Sequence, residues 1–380
     1  MTRDTGSPAI PGRAFPAAVD RAGDRPGHRT GPDPSLQPSP IRCADAAQAR
    51  GELLAGSAAR YRRYLLLEVP GPWGSAALDE RQLTAPVARS LARAAAAANA
   101  NVLLIRRPGR PRPAASTARA TASETAGATS AGVPRAWALA DTAPEAERVW
   151  WGSWDSPDDL LRLDLAAAGP ATAADSGPQR VALVCTNGKR DQCCALRGRP
   201  VAEAVAAIPG WDCWESTHLG GHRYAATMLL LPTGDMFGWL DQQTAVAAVE
   251  RFDAGQFLLP HYRGRSGQPA PAQAALHAVA VQLGDSRRHA LRLAEIGPSP
   301  GAAADDTGRP DDTGRPDDTG RPDDTERWEA LVGHRAEPGR EVMYRVTVAR
   351  GTAAPALLSC SDVAPKAEAR YTAIAVARAG

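Results

Sequence analysis

The chain has 380 residues, 44 basic and 42 acidic side chains, and a formal charge of +2. That length allows two ordinary domains, and so even a charge balance gives no reason to expect nucleic acid or an anionic membrane as a partner. No run approaches the roughly 18 apolar residues of a spanning helix, and the N-terminus lacks a basic start followed by an apolar segment, so a cytoplasmic protein is expected.

Residues 1–42 are rich in Pro, Gly and Asp without apolar periodicity, and they read as a disordered tail. A first α/β passage spans 43–160. Tyr64–Val69 (YLLLEV) reads as a buried strand ending in the turn former PGPWG, and a helix runs from the N-cap candidate Thr84 to Ala98. Asn101–Arg107, Arg135–Asp141 and Arg148–Trp154 read as strands, interrupted by a flexible insertion at 108–133.

A second passage, 175–290, repeats that order. Arg180–Cys185 reads as a strand and Pro200–Ile208 as a short helix opened by proline. Trp211–Ser216, Tyr224–Leu231 and Met236–Leu240 read as strands, the last two joined across PTGD, and Asp241 caps a helix to Phe252. The predicted fold is therefore α/β, two tandem thioredoxin-like layers with a disordered N-terminal tail and low-complexity insertions. Ala270–Leu283 reads as a further helix. Residues 297–325 hold DDTGRP three times over and read as a solvated linker, and 326–380 contribute the strands VMYRVTVAR, ALLSC and YTAIAVAR, with no assignable place in the fold.

Six cysteines are too few for a disulfide scaffold, and clustered thiols in a reducing compartment point to metal ligation or catalysis. Cys43 and Cys360 stand far from the rest and read as small buried side chains, and Cys213 reads as core. The informative segments are CTNGKRDQCC (Cys185 to Cys194) and WDCWESTHLGGHR (Trp211 to Arg223). Cys185 closes a buried strand, where open α/β sheets place their ligands. Gly220 and Gly221 argue against a helix between His218 and His222 and let the backbone turn both imidazoles toward one point. Two thiolates and two imidazoles suit either tetrahedral zinc or a [2Fe-2S] cluster, although the loop between the cysteines is longer than in zinc fingers.

CTNGKRDQCCALRGRP followed by STHLGGHRYAATMLLLPTGDMFGWLD resembles the sucrase/ferredoxin-like family of thioredoxin-fold ferredoxins, and RRYLLLEVPGPWG resembles that family's first strand and turn. The resemblance covers roughly residues 45–285 with the insertions excluded. It implies a [2Fe-2S] cluster in 175–290 with Cys185, Cys194, His218 and His222 as ligands, whereas 43–160 hold no second Cys or His cluster and are expected to lack a metal. Asn187 stands where the family often has histidine. The vicinal Cys193 is the competing ligand, and the C-x8-C frame of the resemblance favours Cys194.

On this reading the protein transfers single electrons between a donor and an acceptor protein that the sequence does not name. The alternative is a zinc-binding structural or interaction module without redox activity. No C-x-x-C motif supports thiol chemistry, and no facing carboxylate pair supports glycoside hydrolysis. Lys189, Arg190 and Asp191 read as a solvated loop or as groups tuning the cluster, Arg223 as facing a partner carboxylate or water, and His261, His277 and His289 as ordinary histidines.

Overall fold

The computed structural model describes residues 41–78, 83–109, 134–167, 169, 177–299, 326–337 and 339–379. The expected tail up to residue 40, residues 110–133 of the insertion and 300–325 of the repeat linker lie outside them. A short helix α1 (Cys43–Ala49) precedes the first layer, which comprises β1 (Arg63–Glu68), α2 (Ala85–Ala97), β2 (Ala100–Arg106), β3 (Arg135–Asp141) and β4 (Arg148–Trp154). The second layer comprises β5 (Val181–Cys185), α3 (Gln192–Ala206), β6 (Asp212–Ser216), β7 (Met228–Leu231), β8 (Asp235–Phe237) and α4 (Gln242–Asp253). After it come β9 (Tyr262–Arg265), α5 (Ala270–Leu283), β10 (Leu291–Pro298), β11 (Arg327–Glu337), β12 (Arg340–Thr352) and β13 (Ala369–Arg378).

Both layers wind the same way. β1 runs parallel to β2 and antiparallel to β3, which pairs antiparallel with β4. β5 runs parallel to β6 and antiparallel to β7, which pairs antiparallel with β8. The expected tandem α/β arrangement is therefore present, and its copies are fused edge to edge. β2 and β6 pair antiparallel through Ile105 with Ser216 and Arg106 with Glu215, giving one nine-stranded sheet in the order β4-β3-β1-β2-β6-β5-β7-β8-β9. Residues Ile41–Gly380 form one compact unit.

The burial pattern explains the near-continuous apolar strands. Leu65 and Leu67 pack against Val87 and Leu91 of α2, while Tyr64 and Leu66 on the opposite face share a core with Trp151 and Trp214. A strand covered on both faces cannot alternate polar and apolar residues. In the second layer Val201 and Val205 of α3 and Val249 and Phe252 of α4 cover Ala182, Val184 and Leu230.

Several elements differ from the sequence expectation. α3 begins at Gln192 and carries Pro200 in its interior, because the Asp191 side chain caps the helix by accepting the Cys193 N–H. Pro200 is therefore not a start signal. β7 and β8 are shorter than expected, since Tyr224 lies in a 3-10 turn and Gly238–Leu240 leave the ladder. The segment ALLSC is not a strand: only Ala356 makes an isolated bridge, and Cys360 stands in a turn. β10, reaching Pro298, and β11 were unread, and with β12 and β13 they form an antiparallel four-stranded sheet. Ala275 and Val279 of α5 pack on Val332, Val346 and Val348 of that sheet, while the helix also meets β9. An apolar helix face on both sides fits a helix lying between two sheets. Among the described residues, no helix is long and apolar enough to cross a membrane.

Candidate metal centre

Cys185 is the last residue of β5 and is buried (1% exposed). The chain then turns on Asn187, whose side-chain oxygen accepts the Lys189 N–H at 3.2 Å and the Arg190 N–H at 3.4 Å, and Asp191 starts α3. Cys194 sits in the first turn of α3, on the same face as Gly198 one turn later. A Cβ on Gly198 would collide with the carbonyl oxygen of Cys185. Only glycine there lets α3 approach the strand end closely enough to bring Cys194 over Cys185.

The histidines come from the loop between β6 and β7. Gly220 and Gly221 have φ of +88° and +70°, a conformation that L side chains rarely adopt, so the turn read from the sequence is present. Arg263 of β9 secures it. This buried guanidinium donates to the Gly220 carbonyl at 3.0 Å and to Ser57 Oγ at 3.0 Å, and also to the Ser57 carbonyl. A Cβ on Gly221 would come within 2.7 Å of its Nη2. The His218 and His222 rings end 5.1 Å apart between centres.

The ligand atoms of Cys185, Cys194 and His218 lie within 4.8 Å of one another, and His222 flanks them through His218. The Nδ1 atoms of both histidines are buried without a hydrogen-bond partner. Such nitrogens are costly to leave unmatched. Two imidazoles bound to one ion at about 2.1 Å would have ring centres about 5 Å apart, so the ring spacing and the orphaned nitrogens both fit a metal between them.

The hydrogen bond between the two thiols splits their protonation. The Cys185 thiol is held well below its ordinary value, because the hydrogen bond from Cys194 outweighs burial and His218 adds to it. Cys194 is correspondingly raised, by its bond to Cys185 and by burial. Burial and the neighbouring His218 push His222 down to about 4, so it is neutral and ready to ligate near pH 7.

The first layer buttresses this loop. Thr186 Oγ1 donates to Glu215 Oε2 at 2.8 Å, and Arg106 of β2 donates to the same oxygen at 2.8 and 2.6 Å. Asn187 Nδ2 donates to the Gly74 carbonyl at 3.1 Å, and the Thr217 N–H to that of Leu104 at 2.9 Å.

The structure thus brings Cys185, Cys194 and His218 together, sets His222 beside His218, and separates the vicinal cysteines. Cys194 faces Cys185, whereas the Cys193 sulfur lies 3.6 Å from Cys43 Sγ and 3.4 Å from Cys360 Sγ. Cys43 is buried as expected, whereas the same reading of Cys360 is corrected, since it is exposed and its sulfur meets that of Cys43 at 3.5 Å. No periodic pattern announces contacts between residues 150 and 167 positions apart. Cys213 is buried, with its sulfur against the Ala202 carbonyl, as expected of core. Of the two readings of Arg223, the carboxylate pairing is present: it pairs with Glu52 at 2.7 Å and with Glu368. Lys189 is exposed, while Arg190 lies close enough to His222 to disfavour its protonation. Sequence reasoning missed Arg263, because an arginine at the end of a short strand looks like an ordinary edge residue.

A family model described as sucrase/ferredoxin-like matches residues 54–264. No curated protein and no solved structure matches the chain.

Proposed function

The chain belongs to the sucrase/ferredoxin-like family, and from that premise we propose that it is an electron-transfer protein holding a [2Fe-2S] cluster on Cys185, Cys194, His218 and His222. The observation that carries this reading is the meeting of two buried thiols with His218, beside which His222 stands, the buried Nδ1 atoms of both histidines having no partner. Such a cluster, when bound, supplies one-electron transfer at a potential raised by exchanging two anionic ligands for neutral ones.

The chain's residues divide the remaining work. Cys185 and Cys194, at 1% and 0% exposure, supply the anionic side and keep it from water. His218 and His222 are half-buried and form the rim, so donor and acceptor proteins are to dock over them. Asn187, Gly198 and Arg263 fix the approach of the loop, the helix and the histidine turn, respectively. The reading carries with it a reducing, cytoplasmic compartment, in which the cysteines remain free or metal-bound.

The test is anaerobic purification, with absorption and electron paramagnetic resonance spectra before and after dithionite, for the parent chain and for Cys193→Ser and Cys194→Ser. The parent is expected to be reddish brown and reducible, Cys194→Ser to lose the signal, and Cys193→Ser to keep it. A colourless parent carrying zinc at these four residues would replace this reading by the structural zinc module, and loss confined to Cys193→Ser would overturn the ligand set.

A further inference from the structure

A second group of donors lies on the other side of the α3 N-terminus. Cys43 is the first residue of α1, Cys193 lies in the first turn of α3, and Cys360 sits in the turn between β12 and β13. Their sulfurs are mutually 3.6, 3.4 and 3.5 Å apart. A disulfide requires about 2.05 Å, so these are three free thiols. Sulfurs around one tetrahedral ion, each about 2.3 Å from it, stand about 3.8 Å apart. The observed triangle is close to that spacing and too tight to enclose a multi-iron cluster.

The fourth member is Asp191, 3% exposed, with both carboxylate oxygens 3.6 Å from Cys43 Sγ. All four ligand atoms lie within 4.8 Å of one another. Asp191 Oδ2 already accepts the Cys360 N–H at 2.8 Å and the Ser359 hydroxyl at 2.9 Å, whereas Oδ1 accepts only the Cys193 N–H from the backbone, at 2.8 Å. A carboxylate oxygen has two acceptor sites, which leaves one on Oδ1 for a cation.

We propose that Cys43, Cys193, Cys360 and Asp191 form a structural zinc site, separate from the redox centre, that clasps α1 and the β12–β13 turn to the start of α3. Three soft thiolates and a carboxylate at single-ion spacing select zinc, and four protein ligands leave no open position for catalysis. The site also accounts for the adjacent cysteines. In the first turn of α3 Cys193 faces Cys43 and Cys360 while Cys194 faces Cys185, so each of the vicinal pair serves a different centre. The inference does not depend on iron at that centre, because its ligands are different residues.

The experiment is metal analysis by mass spectrometry of the full chain, purified in reductant without chelator. The parent is expected to hold about one zinc per chain. Cys360→Ser, on an exposed turn, should lower zinc roughly tenfold while leaving the circular dichroism and any visible absorption unchanged. Cobalt(II) exchange into the parent gives a readout that needs no variant, namely an intense near-ultraviolet thiolate-to-cobalt band that Cys43→Ser weakens. Zinc content unchanged in Cys360→Ser, a parent without zinc even after incubation with it, iron at these residues, or an intact mass showing a disulfide would each overturn the proposal.

Discussion

The two layers of the sheet have the same strand order and opposite uses for it. After β1 the chain reads Val69, Pro70, Gly71, Pro72, Trp73, and the indole folds back so that its Nε1 donates to the Val69 carbonyl at 2.8 Å, with the Arg106 guanidinium 4.2 Å from its ring centre. After β5, at the matching place, stand Cys185, Thr186 and Asn187, followed by Cys194 in the next helix. One strand end is closed by an aromatic plug and the other is opened into a donor set. The topology offers the position and the side chains decide its use. The closed copy is not idle, since Arg106 and the Gly74 carbonyl both brace the open one.

The sharpest way to break this contrast is at Gly198. α2 contains no glycine and packs on the first layer through Val87, Leu91 and Ala95, whereas α3 needs a missing Cβ to reach Cys185. Gly198→Ala is expected to destabilise the chain by about 3 kcal/mol and to empty the Cys185 centre, as read by denaturant unfolding and metal content. Normal metal loading with unchanged stability would refute the close-approach argument.

Next in size is the seam between layers. Glu215→Ala strands Arg106 and removes the acceptor of Thr186, at a cost of about 2 kcal/mol, the partial exposure of Arg106 keeping the figure below that of a fully buried pair. Its urea midpoint should fall and its metal should be lost more readily to chelator. An unaltered chelation rate would mean that the first layer does not brace the site.

An effect of similar size separates the layers by pH. Burial alone would raise the Asp141 pKa, but the Ala143 N–H, Arg62 and Arg63 outweigh it and hold the carboxyl below its ordinary 3.8. A depressed folded-state pKa stabilises the fold above the unfolded value, and this contribution is lost as pH falls through the folded one. Asp141→Asn should therefore cost stability near neutrality, about 2 kcal/mol, and flatten the decline of the urea midpoint in acid. A parallel decline in parent and variant would exclude Asp141 as a source of acid sensitivity.

The smallest change is expected at Cys213. Cys213→Ala should cost about 1 kcal/mol and leave both metal contents unchanged, and any loss of metal would show that a third cysteine type had been misread as core.

Much of this arrangement was readable in advance because it is local. Alternating turn formers and apolar runs marked the strand order, Asp241 marked α4, and the paired glycines marked the histidine turn. The unread part depends on distance in sequence. Pro200 looked like a helix start because the contacts that carry α3 back to Gln192 come from Asp191 and from the Gly198 approach to β5. Cys360 lay in a segment with strand-like composition, and nothing near it points to Cys43, 317 positions away. Arg263 reaches the histidine turn from β9, 43 residues on. Such pairs obey no period, so no local pattern records them.

The seam between β2 and β6 also has a colloidal consequence. An open sheet exposes backbone donors and acceptors at its two outer strands, and fusing the layers leaves only β4 and β9 in that position. Cutting the chain to its second layer alone would bare β6 along an edge beside Cys185, with Glu215 deprived of Arg106 and Trp214 stripped of both Trp151 and Arg107. A bare edge flanked by an exposed indole is a template for intermolecular pairing. The isolated half is therefore expected to aggregate, and the first layer serves as its permanent edge cover.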